Sequence, residues 1–515
     1  MAGIVKRPWF ALGFWVIFLA GTGIVVTRIY QTVVVPGVFL GQVWDEIGPV
    51  AGARVRFKGH KDFALSDAKG NFLLPYRREE SAQVTVAKEN YFITGAPASP
   101  RLALQLKKLP TEDFEDYCWV DPFPNREKKQ NCGNCHGTIF QEWSESRHSR
   151  SAANRHLFNL YEGTDWHGNP GKGWNLLTDN PAGAGVCNAC HAPTASFEED
   201  LRRLGEVANR GIHCDYCHKI AEAPLENVGL SHGRYAVKLL RPEYGQLFFG
   251  PLDDVDRNED SYSSLYTESK YCASCHEGVV FGVHVYSTYS EWLQSPAKRE
   301  GKQCQTCHMA PTGELKNLAP GKGGINRDPW TLAAHRFPGG AEMLRRCLQV
   351  SVEAERDSQE VRVRLEIRAE GVGHRVPTGF VDRNLILVVE AQDSHGKKLK
   401  NHSGPKVPEM AGEMAGLPGK VFAKQLYDFA GRGPVPFWRA DPDFLDTRLW
   451  PGRPDRTDFS FPATADRLQI RLIYHRFWPS VAQEKAWPDN DMVLIDRVVN
   501  IGSEKIRCSM CPTKD

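Results

Sequence analysis

Five short stretches of this chain place two thiols and an imidazole at one fixed spacing. They are Cys132-Gly-Asn-Cys135-His136, Cys187-Asn-Ala-Cys190-His191, Cys214-Asp-Tyr-Cys217-His218, Cys272-Ala-Ser-Cys275-His276 and Cys304-Gln-Thr-Cys307-His308. Two cysteines so spaced add across the two vinyl groups of a porphyrin, and the adjacent histidine then lies under the iron and ligates it. A zinc or redox Cys-x-x-Cys needs no histidine immediately after it. Five unvaried copies exclude chance and imply five covalently bound c-type haems, with His136, His191, His218, His276 and His308 as proximal iron ligands.

The second axial position of each iron decides function. His or Met there gives electron transfer, whereas an open position admits a substrate. Of 17 histidines, those outside the five motifs are the candidates. Met309 directly follows a motif histidine and does not reach across its own haem. His148 stands twelve residues after His136, an offset that lets a short helix turn its ring toward a neighbouring haem; a solvated helix histidine is the alternative. His335 in His-Arg-Phe-Pro-Gly-Gly and His374 in Gly-His-Arg-Val-Pro-Thr-Gly each sit in an irregular backbone set by Gly and Pro. An exposed turn histidine is the alternative for both. His232, between Ser231 and Gly233, is a further candidate. For the fifth distal position the local choices are His284, His167 and His213. His213 adjoins Cys214 and is badly placed for another haem face, which leaves His284 foremost. His156, His395, His402 and His475 read as ordinary surface or core histidines. No residue is assigned a catalytic role: no Lys replaces a motif histidine and no other cofactor motif is present.

The elements that must position these groups follow from pattern. The chain has 515 residues, is 41% hydrophobic and 24% charged, and carries a formal charge of +2, which points to neither a disordered nor a polytopic membrane protein and gives no sign of nucleic-acid binding. Lys6-Arg7 precede a nearly unbroken apolar run from Pro8 to Thr27, long enough to span a bilayer with the N-terminus inside, a cleaved signal peptide being the alternative. The expected organisation is multidomain α+β. It comprises a membrane anchor at 1–30, a small β-sandwich at 37–108, a mainly α/loop pentahaem domain at 109–344, a C-terminal antiparallel β-sandwich at 345–503 and a tail at 504–515. The strand signals are alternating runs such as Val55/Phe57, Leu102/Leu104/Leu106, Val361/Val363/Leu365/Ile367 and Leu468/Ile470/Leu472. Residues 402–465, rich in Pro and Gly, read as a long excursion. Of the four cysteines outside the motifs, Cys118 and Cys347 are a candidate disulfide. Cys508 and Cys511 form a sixth Cys-x-x-Cys, but Pro512 stands where the histidine belongs, so a local disulfide or a shared metal site are the options.

The Trp143-x-x-Ser146-x-His148 stretch, Tyr289-Ser-Glu-Trp292, Cys304-Gln-Thr-Cys307-His308-Met309 and the segments around His335 and His374 resemble the cytochrome c-552/c-554 family of multihaem cytochromes, over residues 120–385. The resemblance implies that His148, His335 and His374 are distal ligands and extends the role to His232. Relatives often carry a histidine upstream of the fourth motif; here Asn258-Glu-Asp260-Ser-Tyr has none, which leaves the fifth ligand open. The run GQVWDEIGPVAGARVRFKG…ALSDAKGNFLLP…VTVAKENYFI resembles the carboxypeptidase regulatory-like domain, a spacer or adhesion module without catalytic groups.

These readings lead to an expected membrane-anchored electron relay with mostly bis-histidine haems, its bulk on the periplasmic side of the cytoplasmic membrane. The expected partners are a quinol-oxidising membrane complex and soluble cytochromes or a terminal reductase. The competing expectations are an oxidoreductase with one open haem acting on a small nitrogen compound, and a structural subunit of a respiratory assembly.

Overall fold

The strand Arg54–Phe57 alternates buried Val55 and Phe57 with half-covered Arg54 and Arg56, and this period of two organises the first unit. The computed structural model describes residues 37–76, 82–182, 186–196, 200–502 and 506–510. The expected membrane anchor lies outside them, as does Cys511; among the described residues no helix is long and apolar enough to cross a membrane. The chain divides into two compact units, one running to Thr111 together with Tyr244–Ser263, the other Glu112–Glu243 with the remainder from Ser264.

In the first unit Gly37–Trp44 pairs antiparallel with Asn71–Tyr76 and parallel with Arg101–Gln105. A second sheet has the order Ala64–Leu65, Arg54–Phe57, Gln83–Ala87, Thr94–Pro97. Phe39, Val43, Val55, Phe57, Phe72, Val84 and Leu104 from both sheets share one core, each such side chain contributing about 1.5–3 kcal/mol by burial. Residues 244–263, read from the sequence as part of the haem segment, lie in this unit instead. Asp253 takes Arg56 at 2.7 Å and Arg54 at 3.4 Å, Asp256 takes Lys58 at 2.5 Å, and Asp254 accepts the Gly59 N–H at 2.7 Å. The basic outer edge of one strand is thus capped by acids 195 to 199 residues away in sequence, a separation that local pattern cannot bridge.

In the second unit the C-terminal part is two antiparallel sheets. One has the order Asp455–Pro462, Glu360–Ala369, Leu348–Arg356, Ile506–Met510. The other is built on Asn384–Gln392, flanked by Gly419–Gln425 and Arg467–His475, with Asp491–Asn500 beyond. Val350, Val363, Leu365, Leu387, Phe461, Leu472 and Leu494 meet in one core. The expected excursion at 402–465 is corrected: it contributes Gly419–Gln425 to one sheet and Asp455–Pro462 to the other. Lys420 and Lys424 break the apolar pattern of the first of these strands. Lys424 is nevertheless buried, its Nζ donating to the His284 carbonyl at 2.6 Å and to Ser287 Oγ at 2.7 Å. The tail likewise forms the edge strand Ile506–Met510, in register with Leu348–Arg356.

Between the linker and residue 344 the chain runs in short helices, turns and two-stranded sheets. The proposed bridge between Cys118 and Cys347 is not formed: both thiols are free, Cys118 exposed and Cys347 buried in the core of the C-terminal sheets.

Candidate cofactor site

Each motif occupies one turn of helix. The turns are Cys132–Asn134, Val186–His191, Cys214–Cys217, Lys270–His276 and Cys304–His308. Residues three apart on a helical turn share a face, so the two thiols of each motif project together with the histidine beside them. Thiols of different motifs also lie near one another: Cys132 by Cys214, Cys190 by Cys275, and Cys272 by Cys304, with Cys217 near Cys275.

Four imidazoles are aimed by the backbone. His136 Nδ1 donates to the Leu318 carbonyl at 2.9 Å, His191 Nδ1 to Ser151 at 3.0 Å, His308 Nδ1 to Pro338 at 2.7 Å and His374 Nδ1 to Arg375 at 3.0 Å. A proton held on Nδ1 leaves the Nε2 lone pair free for a metal. Burial, the dominant cause, lowers the pKa of His148 and His335 to about 4 and of His276 to about 3, and lowers those of His191 and His374. These rings are therefore neutral at neutral pH, the state that ligates iron.

Two histidine pairs face each other. His308 and His374 have ring centres 6.3 Å apart with planes at 17°, and His148 and His276 are also 6.3 Å apart, at 67°. With a metal–nitrogen bond of about 2 Å on each side, two coaxial imidazoles need roughly 6 Å between ring centres. The spacing suits an iron between them. His335 is half-buried, and His218, then His136, are the imidazoles that act on it. His191 and His232 border an apolar cavity, which also takes in Cys187, Cys190, Tyr286, Phe380 and Trp438. The donor set, its tautomers, its spacing and this cavity fit c-type haem.

The remaining candidates are placed elsewhere. His284 Nε2 is bonded to the Glu277 carboxylate, and His232 Nε2 meets the Val279 carbonyl at 3.1 Å. His213 is fully buried with Nε2 against Thr194 Oγ1 at 3.2 Å, His156 stacks on Phe477, and His475 is buried in the C-terminal part.

Two buried carboxylates escaped sequence reasoning. Glu142 accepts the His335 N–H at 2.7 Å and Arg336 Nε at 3.1 Å. Glu291 accepts the Arg375 N–H at 3.2 Å and Thr378 Oγ1 at 2.8 Å, and pairs with buried Arg448 at 2.6 Å. Each glutamate thus pins the loop carrying one candidate distal histidine. The signal was present as a repeated Glu-Trp dipeptide, Glu142-Trp143 and Glu291-Trp292. In both copies the indole N–H donates to a backbone carbonyl, at Ile212 and Lys302, each at 2.8 Å.

Residues 123–219 match the family described as cytochrome c7 and related cytochrome c. Among solved structures the chain is similar to a penta-heme cytochrome c552 from Thermochromatium tepidum, with a TM-score of 0.54 and 22% identity, over 72% of this chain and 97% of that one. Comparison with curated sequences finds no match. The likeness to the solved structure bears on fold, and no comparison bears on the carboxypeptidase-like reading of the N-terminal unit. Residues 123–219 form a cytochrome c7-like multihaem cytochrome domain, and c-type haem is its cofactor.

Proposed function

We propose that the chain is a pentahaem c-type cytochrome that relays electrons at the outer face of the cytoplasmic membrane, anchored by its N-terminal apolar segment. Haem iron supplies reversible one-electron chemistry, and the protein tunes it through axial ligand, burial and hydrogen bonds to the ligand. The reading rests on the facing imidazoles at 6.3 Å, which occur twice. Where His occupies both axial positions, no place is left for substrate. In this reading His148 serves the iron of His276, His374 that of His308, and His335 that of His218. The neighbouring thiols support close haem edges, with the first motif beside the third, the fourth beside the second, third and fifth. The count of five follows the motifs and agrees with the name of the similar structure. A quinol-oxidising membrane complex and soluble cytochromes are the partners this arrangement suits.

A second reading rests on the cavity at Cys187, Cys190 and His191. His232 and His284 both spend Nε2 on other acceptors, at Val279 and Glu277, so the position opposite His191 is the one best placed to admit a small nitrogen compound. Electron paramagnetic resonance of the oxidised protein separates the two. The nearly parallel pair at 17° gives a rhombic low-spin signal and the pair at 67° a strongly anisotropic one. Five low-spin haems inert to cyanide and nitric oxide eliminate the second reading. A high-spin haem that binds either ligand eliminates the relay as sole function, and a haemochrome count other than five overturns the cofactor assignment itself.

A further inference from the structure

The two sheets of the first unit differ in what their outer faces carry. On the sheet built around Arg54–Phe57, the outward Arg54 and Arg56 are capped by Asp253. On the sheet centred on Gly37–Trp44 the outward side chains are aliphatic and open to solvent: Val38 is 50% exposed, Leu40 51% and Leu73 63%. Register gathers them, Leu40 opposite Leu73 and Val38 opposite Pro75. Exposed Arg101 flanks Leu40 on its other side. Farther along the strands the same face turns polar, at Gln42, Asn71 and Gln105.

The apolar end is the end at which the chain arrives from the N-terminal apolar run. Only residues 28–36 separate Thr27 from Gly37, and a chain of that length reaches roughly 30–35 Å when fully extended. With the run 8–27 in a bilayer, Val38 and Leu40 therefore start within that distance of the lipid surface. An antiparallel sheet with one face on a core ordinarily turns polar residues outward. Val38, Leu40, Leu73 and Pro75 depart from that pattern together, on one patch. Clustered aliphatic side chains with a cation at the rim compose a surface that settles among lipid headgroups, where apolar burial and attraction to anionic lipid add. The Arg101 guanidinium matches a lipid phosphate.

We propose that the apolar end of this sheet rests on the membrane surface, with Val38, Leu40, Leu73 and Pro75 entering the headgroup layer and Arg101 pairing with phospholipid phosphate. This rests on the membrane-anchored reading and adds a second, peripheral contact to it. A single span leaves a domain free to turn about its own axis. A face that also touches the lipid fixes which side of the first unit is turned toward the bilayer.

The test is photo-cross-linking of the full haem-loaded protein in nanodiscs of phosphatidylethanolamine and phosphatidylglycerol that contain a phospholipid with a photoactivatable acyl chain. Mass spectrometry of the digest then locates the lipid adducts. They are expected on the strands Gly37–Trp44 and Asn71–Tyr76 as well as on the run 8–27. Leu40→Glu and Leu73→Glu each lower the strand adducts about tenfold, the factor for one leucine's lost burial, and leave those on the run unchanged. Leu65→Glu, at a 58% exposed position of the other sheet, lowers neither. Adducts confined to the run overturn the docking face while the anchor stands. A fall in strand adducts that Leu65→Glu repeats in full also overturns it, since added charge anywhere on the unit would then suffice. Strands cross-linked to a second copy of the chain in place of lipid overturn it as well. A protein that gains no lipid on the run or the strands overturns the membrane-anchored reading itself.

Discussion

The C-terminal sheets and the haem segment of the second unit hold themselves together by different means. In the sheets one apolar core runs from Leu344 through Leu365 and Leu387 to Ile501. In the haem segment the apolar clusters are small, such as Ala152, Ala192, Ala195, Leu201 and Ala208. Polar clasps take their place: Lys219 and Asp215, both fully buried, pair at 2.5 Å, and Asp215 also accepts the Val120 N–H at 2.8 Å, fastening the linker to the third motif. The sheets are specified by their own side chains, whereas the haem segment depends on groups that must be attached to it.

The contrast breaks or holds first on cofactor attachment. Replacing Cys272 and Cys275 by alanine should open the haem segment to protease and to amide exchange, while amides of the strands Glu360–Ala369 and Asn384–Gln392 keep their protection. Exchange followed by mass spectrometry reads both at once. Equal loss in the sheets would show that the core is not independent of the haems.

Glu291 ties the two regions together, since it lies in the haem segment and holds the His374 loop and Arg448. Glu291→Ala leaves buried Arg448 with Asp446 as its remaining acid, at 2.8 Å, and should cost about 1–3 kcal/mol, read by chemical denaturation. The rhombic signal assigned to the pair at 17° should weaken as well. A stability loss without a spectral change would confine Glu291 to a structural role.

Leucine truncation sharpens the comparison more finely. Leu365 is wholly buried in the continuous core, and Leu365→Ala should cost about 2–5 kcal/mol. Leu201→Ala, in a cluster of alanines, should lie at or below the lower end of that range, by the same denaturation assay. Equal costs would mean that the haem segment packs as tightly as the sheets.

The same contrast explains how much was readable in advance. The strands at 348–369 and 467–475 stand out because a buried face imposes a period of two, and the strand at 384–392 because both its faces are buried and it reads as one apolar run. The motifs stand out because covalent attachment tolerates no variation. Illegible were the strands Gly419–Gln425 and Asp455–Pro462, whose lysines and acids mask the alternation, and the placement of residues 244–263, which depends on charge pairs across nearly two hundred positions. His148 and His374 were singled out by sequence context and are the two brought opposite motif histidines, but their partners could not be named, since pairing across a haem is a property of the folded chain. Glu142 and Glu291 were overlooked because a buried carboxylate looks, in sequence, like a solvated one.

One polar flaw in the apolar C-terminal part gives a pH signature. Asp382 is 1% exposed, and neither carboxyl oxygen has a hydrogen-bond partner among the described residues. Burial raises its pKa to about 8, while in the unfolded chain it returns to about 3.9. Between those values the folded protein keeps a proton that the unfolded chain releases. The contribution to stability is therefore full below about pH 4 and falls as pH rises toward 8, by at most about 1.4 kcal/mol per pH unit. Asp382→Asn carries no such proton, so the variant should gain on the wild type steadily from pH 5 to pH 8 in denaturation midpoints. A constant difference across that range would mean that Asp382 is charged and partnered in the folded protein, and that the C-terminal part, like the haem segment, relies on a buried ionic clasp.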